Sequence, residues 1–524
     1  MDFEYKKSGP IFNMHSYWTK QPIDPIKFFI KKYTKENDTV LDPFCGSGMT
    51  GIASIMTNRN AILNDLSNLA IHISKGYCTD FNIKKDIKKL EKIKNNLLKD
   101  LDTLYTTVCH TCQKNAKINF SIVSQIWHND KGKEEDRGGI LLKNVGAEPF
   151  KKDNHFKKFR LIKICFSCSC KKEKQYKKPD EIDIMRWNNN KYTKYEYPID
   201  AFFGQEPKRN EKLGVKKVYQ LYSKRNLSSL ALILNKIKKI KNTKHKNLFL
   251  FIFSSILFNS SLMSRYRSYE NTSIKMGTLY IPPIIKDTNV INNFENKFKI
   301  ITRGNKEIFD NENKTKVNFY TNSAHTIKNV KAGSVDYVYM DPPYSDIINY
   351  SELNIVYESW LNMKSNNQYE MIVNKAANKD IKKYSNIFEK TLEKIYTLLK
   401  KNGHITIVFH HPKINHWKYI QNVFIKSKFK PIITNVPTRL ISNNKTASQL
   451  KTQKKSQCFL VFNFQKNPNY SGVQLIDKND DDYAEIIKKL KKEAIKLGYK
   501  GEADKYDFII NKILFKYKIK DFNV

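Results

Sequence analysis

Two short strings of residues could do chemistry together, although they lie far apart in the chain. The first is Asp42-Pro-Phe-Cys-Gly-Ser-Gly48 and the second is Asp341-Pro-Pro-Tyr344. Each follows a short apolar run and contains the glycines or prolines of a sharp turn. A strand that ends in such a turn presents polar groups at its tip, so the two strings predict a nucleoside pocket next to a pocket for an amino group.

The glycine-containing string predicts a cofactor loop. Gly46 and Gly48 let the backbone approach a ligand at a place that a side chain would block. Asp65 ends the next predicted strand, where an acidic group can bind the hydroxyls of a ribose. The spacing differs from the GxGxxG pattern that cradles a pyrophosphate, and this favours a cofactor without phosphates, such as S-adenosyl-L-methionine.

The proline-containing string predicts a site that orients an amine. Proline fixes φ, so Asp341 is held rigidly at the end of its strand. The Asp341 carboxylate and the Pro342 carbonyl can each accept a hydrogen bond from an exocyclic NH₂, which turns the nitrogen lone pair toward a methyl donor. Tyr344 offers a ring on which a planar base can stack. Positioning and electrostatics would then supply most of the catalysis.

Two pairs of cysteines predict a metal site. Cys109-His-Thr-Cys112 and Cys165-Phe-Ser-Cys168 are CxxC knuckles, and four thiolates can close a tetrahedral zinc site. Cys170 is an alternative to Cys168, and His110 is a weaker candidate. With four protein ligands the zinc would be structural, and the chain between the knuckles predicts a loop or hairpin on a zinc ribbon. The remaining cysteines are predicted to be simple buried residues: Cys45, Cys78 and Cys458.

The composition indicates a polyanionic partner. The formal charge is +42 over 524 residues, and nucleic acid is the first partner that such an excess suggests. Only ten of the 93 basic residues are arginine, and an AT-rich genome would enrich lysine without selection for binding. Arg265-Tyr-Arg267 with Tyr269 could touch DNA or could be a solvated helix end. No apolar run reaches the roughly 18 residues of a membrane span, and the N-terminus has no apolar signal region, so a cytoplasmic protein is expected.

Alternating strand and helix patterns surround both strings. A helix at 22–33, a strand at 38–42, a helix at 50–58 and a strand at 61–65 are predicted on one side, and the α/β pattern returns near Val317. This separation predicts one α/β domain split by an insertion. The predicted boundaries are 1–82 for the first part of the core, 83–310 for the insertion with a zinc ribbon at about 105–175, 311–465 for the second part, and 466–524 for a basic helical tail.

With these motifs in this order, the chain resembles the S-adenosylmethionine-dependent amino-methyltransferases of DNA, especially adenine-specific enzymes that carry a zinc ribbon. The resemblance covers residues 10–80 and 315–465. It implies a Rossmann-like, seven-stranded methyltransferase sheet of the α/β class. Met14-His-Ser-Tyr-Trp-Thr-Lys-Gln-Pro22 looks like the segment against the methionine part of the cofactor, and Phe409-His-His411 falls where the family lines its target-base pocket. Asn322 stands where the family often has an acidic residue.

The resemblance implies a set of site residues. Those for the cofactor are His15, Tyr17, Lys20, Asp42, Pro43, Phe44, Cys45, Gly46, Gly48, Asp65, Asn322 and Ser323. Those for catalysis are Asp341, Pro342, Pro343 and Tyr344.

The resulting expectation is methyl transfer from S-adenosyl-L-methionine to the N6 amino group of adenine in double-stranded DNA, on a flipped-out base. A restriction or phage-defence partner is compatible with this activity, and the sequence does not define an oligomeric state. Three alternatives stay open. They are a base amine in RNA, such as guanine in tRNA; N4 of cytosine in DNA, for which serine in place of Asp341 is more typical; and an inactive zinc-ribbon nucleic-acid-binding protein.

Overall fold

The computed structural model describes residues 1–5, 8–125, 127–128, 134–135, 159–267, 274–275, 277–310, 315–442, 458–499 and 501–522. The helices are α1 (Pro10–Asn13), α2 (Ile23–Tyr33), α3 (Met49–Ile55), α4 (Asn68–Cys78), α5 (Ile83–Leu98), α6 (Glu181–Trp187), α7 (Lys224–Lys238), α8 (Thr243–Ile256), α9 (Val290–Ile308), α10 (Tyr350–Leu361), α11 (Ile381–Leu398), α12 (Ile414–Lys426), α13 (Asp480–Lys496) and α14 (Glu502–Ile513). Tyr269 and the side chain of Cys458 lie outside the described part.

The strands form two main sheets and one short pair. They are β1 (Asp2–Tyr5), β2 (Thr39–Asp42), β3 (Asn60–Asp65), β4 (Thr106–Val108), β5 (Asn115–Gln125), β6 (Trp127–His128), β7 (Glu134–Glu135), β8 (Phe159–Cys168), β9 (Lys171–Lys177), β10 (Ile284–Thr288), β11 (Val317–Thr321), β12 (Val335–Met340), β13 (Leu399–Phe409), β14 (Phe429–Pro431), β15 (Thr438–Ser442) and β16 (Cys458–Lys466). The short pair is β6 with β7.

The large sheet has nine strands in the order β1-β15-β16-β13-β12-β2-β3-β11, with β14 also paired to β16. Strands β13, β12, β2, β3 and β11 run parallel, and β16 is antiparallel to β13. The expected seven-stranded sheet is therefore wrong in strand number for the described residues. The added strand β1 pairs with β15, where Asp2 meets Arg439 in the register and in an ion pair of 2.6 Å.

The order of the strands places both sequence strings at one edge of the sheet. Strand β12 pairs directly with β2, with Tyr337 opposite Val40 and Val338 opposite Leu41. The chain continues from β2 to β3 on one side and from β12 to β13 on the other, so the strand order reverses between β2 and β12. Open α/β sheets bind ligands beyond the carboxyl ends of the strands at such a point.

Helices cover both faces of the large sheet. On one face, α2, α3, α4 and the helices of the region between β3 and β11 share a continuous apolar core. On the other face, α11 and α12 pack with the last helix, α14, whose buried residues include Ile509, Ile510 and Ile513. The tail therefore contributes to the same core as β12 and β13.

The five-stranded sheet lies within residues 106–288 and is antiparallel, in the order β10-β5-β8-β9 with β4 paired to β5. A buried ion pair of 3.0 Å between Arg225 and Asp287 joins α7 to β10. Ser223, Asn226 and Trp187 also donate hydrogen bonds to Asp287. Because these donors satisfy the buried carboxylate, the pair can be kept inside the protein.

The most apolar run of the chain forms the buried helix α8. Within the described residues, no helix is long and apolar enough to cross a membrane.

Candidate active site

A cleft opens where β2, β3 and β12 end, and both sequence strings contribute to its walls. The predicted residues that line it are Tyr17, Asp42, Pro43, Phe44, Cys45, Gly46, Asp65, Ser323, Asp341 and Pro343. The structure thus brings together a carboxylate suited to a ribose and a carboxylate suited to an amine.

Asp42 holds the cofactor loop in shape. Its carboxylate accepts hydrogen bonds from the backbone N–H of Phe44 at 3.0 Å and from the Thr50 hydroxyl at 2.6 Å. Burial raises the pKa of Asp42 to about 7, although the two donors oppose the shift. Asp42 is therefore a carboxylate whose charge a cationic ligand would stabilise.

Asp65 ties the end of β3 to the same loop. One carboxylate oxygen accepts the Gly46 N–H and the other accepts the Ser67 N–H, both at 2.9 Å. Burial raises the pKa of Asp65 to about 6, and the backbone donors oppose that shift. Each oxygen keeps a lone pair beyond these bonds, so the group can still accept from a hydroxyl in the cleft.

Gly46 and Gly48 have different structural reasons for being glycine. Both have positive φ, of 47° and 81°. A Cβ on Gly46 would stand 3.0 Å from the Tyr17 ring, in the cleft wall, whereas a Cβ on Gly48 would stand 2.9 Å from the backbone of Ser74 in α4. Gly48 is thus needed for helix packing and does not line the cleft.

The Asp341 carboxylate is held by two donors. Gln21 Nε2 donates to Oδ2 at 2.7 Å, and the Tyr344 hydroxyl donates to Oδ1. Gln21 Nε2 also donates to the Tyr344 oxygen at 3.1 Å, which closes a ring of three side chains. Burial, with the Asp341 charge, raises the pKa of the Tyr344 hydroxyl well above its usual value, so the hydroxyl remains a donor.

The ring of Tyr344 does not line the cleft, contrary to the expectation that it offers a stacking surface. It is 6% exposed and packs against the rings of Phe409 and Phe459, with centroids 5.7 and 5.4 Å away. Its hydroxyl rather than its face is directed at the Asp341 carboxylate. The adjacent Pro342 is buried behind the lining, while the Pro343 carbonyl accepts the Tyr384 hydroxyl at 2.7 Å.

Gln21 lies in the predicted cofactor segment, Met14-His-Ser-Tyr-Trp-Thr-Lys-Gln-Pro22, but is not among the predicted site residues. Because an ionised carboxylate only accepts hydrogen bonds, the amide nitrogen faces Asp341 and the amide oxygen points elsewhere. That oxygen, Oε1, is buried and has no hydrogen-bond partner among the described residues. A polar atom left in this way at a cleft wall is a ready acceptor for a donor on a ligand.

Alternate residues of one segment, Tyr17, Thr19 and Gln21, line the cleft, and this alternation was the signal that could have selected Gln21. His15 and Lys20, predicted to bind the cofactor, lie behind the lining instead. Lys20 donates from its buried ammonium to the His15 carbonyl at 2.7 Å. His15 bonds Ser254 of α8 at 3.0 Å, and burial lowers its pKa well below the usual value. Both residues support the segment from outside.

Ser323, but not Asn322, reaches the lining of the cleft. The Asn322 N–H donates to the Asp65 carbonyl at 3.1 Å, and its own carbonyl accepts from Asn64 at 3.0 Å. Asn322 therefore fixes the end of β11 against β3, while Ser323 bonds His325 at 2.7 Å. Position 322, where the resembling family often has an acidic residue, therefore contributes here through backbone hydrogen bonds to β3.

The segment between α10 and α11 supplies further lining residues that carry no sequence motif: Asn367, Tyr369, Glu370 and Met371. Glu370 accepts from the N–H and the hydroxyl of Ser351, both at 2.9 Å, and from the Lys379 ammonium at 3.2 Å. These bonds hold the segment over the cleft.

The loop after Asp341-Pro-Pro-Tyr344 is held against the loop after β13. His411 Nε2 donates to Asp346 at 3.0 Å, since its Nδ1 accepts the Lys413 N–H at 3.1 Å. Lys413 and His411 hold the pKa of Asp346 at about 2, against partial burial that acts to raise it. His411, expected to line a target-base pocket, is fully buried in this clamp.

The cysteines assemble with one change from the predicted set. Cys109, Cys112, Cys168 and Cys170 bring their sulfur atoms within 4.8 Å of one another. The predicted ligand Cys165 lies elsewhere, in a buried cluster with Phe120 and Ile284. Cys168 and Cys170 lie where β8 turns into β9, and Cys165 lies on the opposite face of the sheet because residues three apart in a strand point to opposite sides. His110 is not in the group.

Comparison with known protein families supports the chemistry of the cleft. A family model described as DNA methylase, of the N6/N4 methyltransferase type, matches residues 3–76 and 335–514, just under half of the chain. The matched segments contain both sequence strings. The similarity supports a DNA amino-methyltransferase, which implies S-adenosyl-L-methionine as methyl donor and DNA as substrate. No curated protein matched the chain.

Proposed function

We propose that this protein methylates the N6 amino group of adenine in double-stranded DNA. The observation that carries the proposal is the shared cleft, in which Asp65 and Asp341 line the same space from the ends of β3 and β12. The adenine assignment rests on the aspartate at position 341, which in the resembling family is commonest among adenine enzymes.

The lining residues suit S-adenosyl-L-methionine. Asp65 accepts the ribose hydroxyls, and the buried Asp42 and Asp65 favour a ligand that carries positive charge. Ser323 and Ala324 line the cleft after β11, on the side away from Asp341, in a position to border the adenine ring. Bound in this way, the cofactor supplies an electrophilic methyl group next to Asp341.

The chain's own residues orient the target amine. Asp341, which lines the cleft, accepts one of its N–H groups, so that the nitrogen lone pair faces the methyl group. Gln21 and Tyr344 fix the carboxylate and stabilise its charge, which keeps Asp341 an acceptor. Transfer would form a carbon–nitrogen bond as the carbon–sulfur bond of the sulfonium breaks, leaving a neutral thioether, and the methylated amine would release one proton to water.

We further propose that Cys109, Cys112, Cys168 and Cys170 hold a structural zinc ion. The sulfur atoms lie 3.6 Å apart in Cys109 and Cys170, and 3.4 Å apart in Cys112 and Cys168. These distances are close to the roughly 3.8 Å that separates two ligands of a tetrahedral ion with 2.3 Å bonds. The ion would join the turn after β4 to the turn between β8 and β9.

Labelled methyl transfer to duplex DNA and to tRNA tests the function. The wild type is expected to label duplex DNA and not tRNA. Asp341→Ala is expected to lower transfer by about 100-fold or more, as does loss of one oriented polar group in other active sites, while still binding S-adenosyl-homocysteine. Labelling of tRNA alone would favour the RNA alternative, and full activity of Asp341→Ala would overturn the assigned role.

A further inference from the structure

One face of the five-stranded sheet carries a cluster of rings and ammonium groups apart from the cleft. Phe120, Ile122, Cys165 and Ile284 form its buried floor, separate from the main core, and Ile162 and Tyr266 pack against them. This cluster, together with Lys163, Lys174, Tyr176 and Lys286, is called the outer sheet face below.

Aromatic rings fix the positions of two of these ammonium groups. Lys286 Nζ lies 4.6 Å from the centroid of the Phe120 ring, and Lys163 Nζ lies 5.7 Å from that of Tyr176. Phe120 in turn contacts Tyr176 and Tyr266, with ring centroids 6.3 and 6.1 Å away. Contacts of this kind limit the freedom of a lysine side chain, so a ligand that binds there meets cations already in place.

The outer sheet face is electrostatically unbalanced. Lys174 is exposed and, by strand alternation, shares the face with Tyr176, which is 42% exposed. Partial burial and then the Lys174 charge lower the pKa of Lys286, so the two ammonium groups repel each other. Among the described residues, no acidic side chain forms an ion pair with Lys174 or Lys286. An anion bound between them would relieve this repulsion.

We propose that the outer sheet face binds the phosphate backbone of the duplex DNA substrate. The inference rests on the proposed function, since it takes DNA as the ligand. Lysines on one sheet face, of which Lys286 and Lys163 lie against aromatic rings, suit the repeated charges of a duplex. Contacts to phosphate position the DNA without selecting its sequence. The cleft would then hold the target base while this face holds the duplex that carries it.

Removing the charges while keeping long side chains tests the proposal. In the double variant Lys174→Gln/Lys286→Gln, the affinity for a short duplex is expected to fall about tenfold at moderate salt. The slope of log affinity against log salt should decrease by about 1.8, or 0.9 for each phosphate that a lysine no longer neutralises. KM for DNA should rise with little change in kcat, and calorimetric binding of S-adenosyl-homocysteine should match the wild type, which also shows that the variant is folded.

The matched control is Lys488→Gln/Lys492→Gln, which removes two exposed charges from α13. If its effects on affinity and salt slope equal those of Lys174→Gln/Lys286→Gln, only the overall charge matters and the outer sheet face is not the binding surface. An unchanged KM and salt slope in Lys174→Gln/Lys286→Gln would overturn the proposal even if the wild type methylates DNA. A wild type that methylates only RNA would instead contradict the proposed function.

Discussion

Two side chains of the protein itself donate hydrogen bonds to the Asp341 carboxylate. Gln21 and Tyr344 each hold one oxygen, and both residues are nearly buried. Hydrogen bonds to an ionised group favour its charged form, so this arrangement suits the proposed role, in which the carboxylate orients an amine and does not take its proton. Gln21 is therefore assigned as a positioning residue that acts through Asp341.

Changing the charge at position 21 should alter the pH dependence of catalysis. In Gln21→Glu a second carboxylate would lie next to Asp341, and two such groups share a proton, so the acidic limb of the kcat profile should move to higher pH. Gln21→Leu should lower kcat about tenfold, with S-adenosyl-homocysteine affinity within about twofold of the wild type. The exposed Gln474→Glu serves as control. A Gln21→Glu profile identical to that of the wild type would refute the positioning role.

Cofactor affinity should rise with pH between about 5 and 8. Burial raises the pKa of Asp65 to about 6 and that of Asp42 to about 7, so both carboxyls take up protons in the free protein as the pH falls through this range. A cationic ligand favours their ionised forms, and binding therefore releases protons and strengthens as pH rises. Calorimetry in buffers of different ionisation enthalpy measures this release. Asp65→Asn should bind more weakly and with a shallower pH dependence; tighter binding at pH 5 than at pH 8 would contradict the account.

At the scale of elements, the turn between β8 and β9 predicts different roles for Cys165 and Cys170. Cys170→Ser should lose bound zinc and lower the melting temperature, because one of four ligands is removed. Cys165→Ser should keep a full equivalent of zinc, since Cys165 lies in the floor of the outer sheet face. Metal analysis of the two purified variants makes the comparison. Zinc loss from Cys165→Ser with retention in Cys170→Ser would restore the ligand set predicted from the sequence.

The presence of Cys170 instead of Cys165 in the cysteine group is a feature that the sequence alone did not predict. The CxxC spacing predicted a thiolate site, but the choice between Cys165 and Cys170 depends on β8 being a strand, in which residues three apart lie on opposite faces. Strands β2, β3, β12 and β13 could be predicted because their apolar runs and turns are local signals. Strand β1 could not, because its partner β15 lies at the other end of the chain.

The same limit applies within the active site. Asp42, Asp65 and Asp341 follow strands in the sequence, so their meeting at one edge follows from a parallel sheet. The buried orientation of the Tyr344 ring depends instead on Phe409 and Phe459, which come from distant strands. His15 and Lys20 belong to the predicted cofactor segment, but they do not line the cleft. The alternation of the lining residues Tyr17, Thr19 and Gln21 shows which side of the segment faces it.

At the scale of the whole molecule, the candidate active site and the proposed DNA-binding surface lie in different parts of the chain. The two segments that match the DNA methylase family supply the strands of the large sheet apart from β11, and most of the residues that line the cleft. The five-stranded sheet lies between those segments in the chain and carries the cysteine group and the outer sheet face. Under the proposed function, the formal charge of +42 would add a diffuse attraction for DNA to the specific contacts of the outer sheet face.

Identification of the modified nucleoside tests the central claim most directly. Duplex DNA containing all four bases would be incubated with the protein and S-adenosyl-L-methionine, digested to nucleosides, and analysed by mass spectrometry beside an Asp341→Ala control. The account predicts N6-methyladenine as the product, absent from the control. N4-methylcytosine as the sole product, or no methylated nucleoside in DNA, would contradict it.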